Sequence, residues 1–372
     1  MNYTNILFFI TILNLTQLSN PIYELLLIPF FFFFIYEKRI KIVIKKSELL
    51  FVFFTFLLIF ITLYKNNFAI DLINSFHFPF VLLMTIPIVD RKFKLFSLIK
   101  IIKTITVFHL ILYLFSFFNN KIYNLIFNKR GDYFRFKGIF NEPAWLGFTL
   151  VFFMIVLSIN YRNNLFFIIL NMFFCIISFS GTAYALLIFY LFVFYFYKLN
   201  KKGKLIFVPS FFLSIILFYT IKTQLVKKFV LSRAINLVQG SADGSAVYRF
   251  LAPIQIIKQT INENLFTGIG IGNIENYIVD NITKLNYFIL WNGSIKTDIN
   301  NIYAIVFTIG GISLFILFVL LIVVYYKNYT TKQTKIIFLY LLIFPFFSGK
   351  LIHTFFWFLF YFIKNVYYVH SK

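Results

Sequence analysis

The residues best suited to chemistry gather in two segments. The first reads Asn128-Lys129-Arg130-Gly131-Asp132-Tyr133-Phe134-Arg135-Phe136-Lys137-Gly138-Ile139-Phe140-Asn141-Glu142-Pro143, with Lys121 just upstream. A guanidinium presents paired donors that match two phosphate oxygens, while an ammonium adds a point charge. Arg130, Arg135 and Lys137 are therefore candidates for holding a phosphate or diphosphate. Contact with lipid headgroups is the competing explanation of the same cluster. Asn141 ahead of Pro143 reads as a helix cap with proline in the first turn, which puts Glu142 at the positive end of a helix dipole. Glu142 is a candidate general base, but beside Arg135 and Lys137 it is expected to be ionised and paired, and pairing weakens a base.

The second segment opens on a helical pattern over Ala246 to Leu265, with Phe250, Leu251, Ile254, Ile257 and Ile261 at helical spacing. Such a helix should lie flat at a membrane interface or cap a bundle. Pro253 marks a kink or a fresh start, and Arg249 just before it is a further anion-holding candidate. Next comes Thr267-Gly268-Ile269-Gly270-Ile271-Gly272-Asn273. This is not a dinucleotide fingerprint, because a helix and not a strand precedes it. Gly268, Gly270, Gly272 and Asn273 permit either a concavity whose amides bind an oxyanion or a plain turn. The segment ends at Thr297-Asp298-Ile299-Asn300-Asn301-Ile302-Tyr303, which caps an apolar run carrying Gly310-Gly311 about two turns in. Asp298 at that junction admits two roles, a helix cap and a catalytic base.

The elements that must position these groups follow from composition. Of 372 residues, 61% are hydrophobic and 13% charged, and Phe alone supplies 58 against 35 Lys and Arg. That excludes a water-solvated surface and points to an all-α, polytopic integral membrane protein. A net charge of +23 would suggest nucleic acid in a soluble chain. Here the cations sit between apolar runs, where they set orientation, and no nucleic-acid partner is expected. Cys175 is the single cysteine and lies inside an apolar run, so no disulfide or cysteine metal site is expected, and no other metal or cofactor site is visible.

Apolar runs long enough to span a bilayer number about 12. They cover residues 4–18, 21–36, 49–64, 69–89, 104–118, 143–160, 165–180, 182–197, 205–221, 301–326, 336–348 and 352–366. The chain thus reads as nine spans over 1–221, interrupted by an external loop at 119–142, then one large external loop at 222–300, then three spans over 301–372. Lys and Arg fill every even-to-odd connection, for example Lys38 to Lys46, Arg91 to Lys103 and Lys198 to Lys204. Both termini and these connections are therefore expected in the cytoplasm. The first run has no charged leader and no small-residue cleavage site, so it is expected to stay as a span. Acids such as Asp132, Glu142, Glu263 and Asp298 collect on the opposite side, where either chemistry or mere exclusion from the basic edge accounts for them.

Three pieces in order carry a family resemblance. They are Arg135-Phe136-Lys137-Gly138-Ile139-Phe140-Asn141-Glu142-Pro143 opening a span, Tyr248-Arg249 leading through a helix to Leu265-Phe266-Thr267-Gly268-Ile269-Gly270-Ile271-Gly272-Asn273, and Asn300-Asn301-Ile302-Tyr303 with Gly310-Gly311. Together they resemble the Wzy-type O-antigen and capsular polysaccharide polymerases, in the larger superfamily that includes O-antigen ligases. The resemblance implies undecaprenyl-diphosphate-linked oligosaccharide substrates at the outer face of the bacterial cytoplasmic (inner) membrane. It implies a metal-independent glycosyltransferase in lipopolysaccharide or capsule synthesis, working with membrane lipid, a flippase and a chain-length regulator. Ligases of the superfamily typically carry a His before the Asn that opens the later span; here the stretch is Asp298-Ile299-Asn300-Asn301, which favours polymerase over ligase. From another class, a lipid-linked glycan flippase predicts charged or broken helices near the midplane, with His77-Phe78-Pro79 and His109 as candidates. A flippase has no use for an outer loop as long as 222–300. A membrane scaffold is the remaining alternative. Reporter fusions after Lys202 and after Ser241 should report opposite sides of the membrane; same-side signals would overturn this topology.

Overall fold

The structure is a computed structural model. It describes residues 3–13, 33–37, 40–43, 45–65, 88–90, 93–130, 133–159, 162–198, 247–270, 273–289, 295, 297, 299, 301–331, 334–347 and 354–370. In chain order the helices are α1 (Tyr3–Leu13), α2 (Lys46–Lys65), α3 (Leu95–Ser116), α4 (Asn120–Ile126), α5 (Pro143–Ser158), α6 (Leu165–Ile177), α7 (Gly181–Lys198), α8 (Ala252–Asn264), α9 (Ile274–Asp280), α10 (Ile302–Tyr329), α11 (Thr334–Phe347) and α12 (Thr354–His370). Short strands β1 (Ile40–Ile42), β2 (Ile88–Asp90), β3 (Phe127–Arg130) and β4 (Tyr133–Phe136) form two antiparallel two-stranded ribbons. The protein is thus mostly helical, as composition demands. Helices satisfy their own backbone groups, which an apolar solvent cannot do.

The twelve helices among the described residues do not establish twelve spans. Helices α4, α8 and α9 lie in segments expected as external loops, and the runs 21–36, 69–89 and 205–221 fall wholly or mostly outside the described residues. Among the described residues, Leu95–Ser116 and Ile302–Tyr329 are long and apolar enough to cross a membrane, and the remaining apolar helices are shorter. Two expectations need correction. Helix α3 starts at Leu95 and not near residue 104, so Lys100 and Lys103 are helical; Lys103 lies over the Phe167 ring at 5.0 Å, its stem covering apolar surface. Residues 88–90 are not the end of a span but β2, paired with β1 in the register Ile40↔Asp90 and Ile42↔Ile88. Two basic connections are thereby tied together.

The chain divides into two compact units. One comprises Met1–Phe33, Lys92–Leu231 and Lys332–Tyr340. In it α5 is buried along almost its whole length, packed against α6 and α7. Gly147 allows this approach, because a Cβ there would lie 2.8 Å from the Ala183 Cα. Phe8 of α1 meets Phe152 and Phe153 of α5 at ring distances of 6.1 and 6.0 Å.

The other unit comprises Phe34–Arg91, Ser232–Thr331 and Leu341–Lys372. Its core is aromatic: Phe51 of α2 meets Tyr325 of α10 and Trp357 and Phe360 of α12, all edge to face at 5.2–6.1 Å. At one end of this core a charge is buried. Lys364 pairs with Glu48 at 3.0 Å, the two side chains 0% and 1% exposed. The Tyr329 hydroxyl and the Lys45 amide both donate to the Glu48 carboxylate, at 2.6 and 2.9 Å, and Lys364 also donates to the Val43 carbonyl at 3.2 Å. The pair joins α2, α10 and α12, and its hydrogen bonds offset the cost of removing two charges from water. Lys364→Met should lower the stability of detergent-solubilised protein by about 3–5 kcal/mol, since it strands Glu48, and adding Glu48→Gln should recover part of the loss. An unchanged thermal midpoint in Lys364→Met would show that the pair carries no such weight.

Candidate functional site

In the first unit the basic segment folds as helix and hairpin. Asn119 caps α4 through its side chain, accepting from the Lys121 and Ile122 amides at 2.9 and 3.3 Å. Strands β3 and β4 then pair in the register Phe127↔Phe136, Asn128↔Arg135 and Lys129↔Phe134. Alternation turns one face of the hairpin inward. Phe136 is fully buried, stacked on Phe174 of α6 at 5.2 Å and edge-on to Tyr113 of α3 at 5.8 Å. Arg135, one residue away, is half-buried with its Nε enclosed. Lys129 sits 6.0 Å over the Phe134 ring. The Lys137 and Gly138 amides both donate to the Ile126 carbonyl, at 2.8 and 3.2 Å. Burial holds the Lys137 ammonium below the usual lysine range.

The hairpin is locked down at Gly138, whose φ is +57°. A Cβ there would stand 2.5 Å from His109 Cδ2 and 2.6 Å from its Nε2. Only glycine permits both that backbone conformation and that approach. The His109 ring is stacked 5.7 Å from Phe140, and its Nδ1 bonds the Ile105 carbonyl at 2.9 Å. His109 is thus a buried packing partner of the basic segment.

Glu142 departs from expectation. It occupies the N-cap position of α5 itself, with Pro143 at the first helical position, so the cap lies one residue later than Asn141. Its side chain makes no capping hydrogen bond, is exposed, and has no ion pair among the described residues. The expected pairing with Arg135 and Lys137 is not formed. An unpaired carboxylate is the better base.

In the second unit Arg249 lies in a π-helical turn, Val247–Leu251, and α8 starts afresh with Pro253 in its first turn. Helix α8 buries Ala252, Pro253, Ile256 and Thr260 and packs against α10, while Ile254 and Ile261 of the apolar stripe are 65% and 44% exposed. The expected apolar stripe is therefore the outward one, as for a helix lying in an interface.

The glycine run has a different role from an open oxyanion cradle. Helix α10 breaks at Gly311, which has φ +60° and ψ −159°. Segment 265–270 is docked onto the break: the Ile269 and Gly270 amides donate to the Thr308 and Ile309 carbonyls at 2.9 Å each, and the Ile312 amide donates to the Leu265 carbonyl at 2.7 Å. The Gly268 amide is also engaged, by the Asn264 carbonyl at 2.9 Å. These amides therefore satisfy the carbonyls the break sets free, and the oxyanion reading of Gly268 and Gly270 is corrected. Asn273 donates to the Ile269 carbonyl at 2.8 Å and sits at the N-cap of α9. Gly272 and Asp298 lie outside the described residues, as do Gly131 and Asp132; Arg130 is described only as the last residue of β3. The cap of α10 is Asn301, whose Oδ1 accepts from the Ala304 amide at 3.1 Å.

One cluster escaped the reading of the sequence. Glu263 at the end of α8 pairs with Lys284 at 3.2 Å and accepts from Tyr277 at 2.8 Å and from Gln259. Burial pushes the Glu263 carboxyl up, but the hydrogen bonds and charge of Tyr277, Lys284 and Gln259 outweigh it and leave it below the ordinary range. Gln255 binds the Lys284 carbonyl and the Tyr287 amide at 2.7 and 3.1 Å. The spacing Gln255, Gln259, Glu263 was the signal, one polar residue per turn on one helical face.

The described residues thus combine apolar helices, one of them broken, with half-buried basic segments docked onto them. Residues 165–319 match the family model described as O-antigen ligase, and this match supports membership of the O-antigen polymerase/ligase superfamily. Members are glycosyltransferase-like enzymes of bacterial membranes acting on lipid-linked glycans. The matched stretch contains Arg249, the glycine run and the break in α10, but not Arg130, Arg135, Lys137 or Glu142. No curated protein and no solved structure matches significantly.

The state of Lys137 is open to titration. A lysine with a lowered pKa keeps its charge, and any anion it holds, below that pKa and loses both as pH rises through it. Polyprenyl-diphosphate binding should therefore weaken at a lower alkaline pH than an ordinary lysine would give, and Lys137→Arg should flatten the curve. Identical curves for the two proteins would remove Lys137 from the anion site.

Proposed function

We propose that the protein is a polymerase. It joins undecaprenyl-diphosphate-linked oligosaccharide units into O-antigen or capsular polysaccharide at the outer face of the bacterial cytoplasmic membrane. The observation that carries this reading is the half-burial of Arg135, Lys137 and Arg249 in segments expected outside the membrane. Partial burial fixes the direction of a guanidinium's donors, which suits it to the paired oxygens of a phosphate. The family match supplies the substrate class.

In this reading the acceptor hydroxyl oxygen attacks the anomeric carbon of the donor. The bond from that carbon to the diphosphate oxygen breaks, and the electron pair leaves with the diphosphate. The arginines neutralise the growing charge electrostatically, without a metal. The hydroxyl proton passes to a carboxylate, either Asp298 at the junction with α10 or the unpaired Glu142. Membrane lipid surrounds the spans, a flippase supplies the outward-facing units, and a chain-length regulator is the expected partner.

The second reading is a ligase, favoured by the description of the matching family model. The absence of His from Asp298-Ile299-Asn300-Asn301 speaks against it. A flippase draws some support from the broken α10, since transporters use broken helices to hold substrates. Here, however, the carbonyls freed at Thr308 and Ile309 are taken by the protein's own loop.

A deletion strain should carry surface glycan with a single repeat unit and accumulate the lipid-linked unit. Loss of a ligase would leave full-length polymer on the lipid carrier, and that outcome would overturn the polymerase reading. Arg135→Ala and Arg249→Ala, each introduced alone, should abolish chain extension at normal protein level, with Lys rescuing only in part.

A further inference from the structure

Arg249 is not simply carried on a long loop. The segment that bears it is fastened to α10 at two points. At its start, the Asn301 side chain donates through Nδ2 to the Arg249 carbonyl at 3.5 Å, while its Oδ1 caps α10. At its end, beyond α8, residues 265–270 are docked onto the break in α10 by three main-chain hydrogen bonds of 2.7–2.9 Å. The second fastening requires glycine on both sides. Gly268 and Gly311 each have φ of +60°, and a Cβ on Gly268 would overlap the Ile309 backbone, as one on Gly311 would overlap the Leu265 carbonyl. Between the two points α8 lays Ala252, Ile256 and Thr260 against α10, so helix and fastenings form one rigid arm. A chain break filled in this way is held firmly, because the Thr308 and Ile309 carbonyls and the Ile312 amide of α10 are each matched by a group from the arm.

We infer that Asn301 and the Gly268–Gly311 contact are positioning residues that set Arg249 against the lipid-linked diphosphate. This rests on the proposed role of Arg249 and extends it to residues that touch no substrate. Capping alone would be served by Asp or Ser at position 301, because both offer the acceptor oxygen that Ala304 needs. Asn adds a donor atom separate from the capping oxygen, and that donor holds the Arg249 carbonyl. Asp would set a second acceptor against that carbonyl, and the hydroxyl of Ser, one bond shorter, would have to cap and donate through a single atom.

The test uses full-length protein in liposomes and undecaprenyl diphosphate as the probe. Arg249→Ala should weaken its binding roughly 10- to 100-fold, the loss of one or two charge-assisted hydrogen bonds. Asn301→Asp should approach that loss while α10 stays capped and the thermal midpoint holds, and Asn301→Ser should fall between Asp and wild type. Gly268→Ala should act in the same direction. The decisive readout is the double variant Arg249→Ala with Asn301→Asp, which should bind no more weakly than Arg249→Ala alone, since both changes remove the same contact. Wild-type binding by Asn301→Asp and Asn301→Ser, or additive losses in the double variant, would overturn the inference and leave the role of Arg249 standing. Wild-type binding by Arg249→Ala would overturn that role, and the inference with it.

Discussion

The organising constraint in the second unit is the need to satisfy the backbone where α10 breaks. A helix interrupted at Gly311 frees carbonyls and an amide that an apolar surround cannot hydrate. Segment 265–270 supplies the complementary groups, and in doing so decides where α8, the Arg249 turn and α9 lie with respect to α10. The polar web around Glu263, Tyr277 and Lys284 then sits on the far side of α8 and ties it to the chain that follows. A loop long enough to be floppy is thereby made into an extension of a span, at little cost in closure entropy once its ends are pinned.

The same device recurs in the first unit on a smaller scale. Gly138, at positive φ, lets the chain settle on the His109 ring, and Phe136 and Phe140 on either side enter the aromatic cluster of α3 and α6. A buried aromatic pair contributes about 0.5–1.5 kcal/mol beyond its area. Each polar segment therefore borrows its rigidity from the apolar helices beneath it, and charged side chains such as Arg135 are held by neighbours that have no part in chemistry. The abundance of Phe serves packing here as well as lipid contact.

Much was legible in the residues themselves. Hydropathy marked the apolar helices, including the two among the described residues that are long enough to span, and the proline at 143 announced the start of α5. The order of the three motifs pointed to the superfamily that residues 165–319 match. The hairpin β3–β4 was less visible, because its strands are four residues each and rich in charge, and short strands are set by what they pack on and not by propensity. The face of α8 that meets protein was left open for a related reason: periodicity finds an apolar stripe but does not say whether protein or lipid covers it.

What the sequence determined alone, then, was the solvent this protein is built for and the places where the chain must turn or carry charge, since both follow from the transfer energies of single residues. The tertiary structure decided what the glycines and carboxylates do. Gly268 and Gly311 read locally as a turn and a weak point in a helix; their purpose lies in each other, 43 residues apart, and no local pattern encodes which backbone will fill which gap. Glu142 read as paired because its cationic neighbours are close in sequence, yet it makes no ion pair among the described residues. Hydrogen bonds and ion pairs depend on direction and on distances of a few ångströms, which only the packed chain supplies.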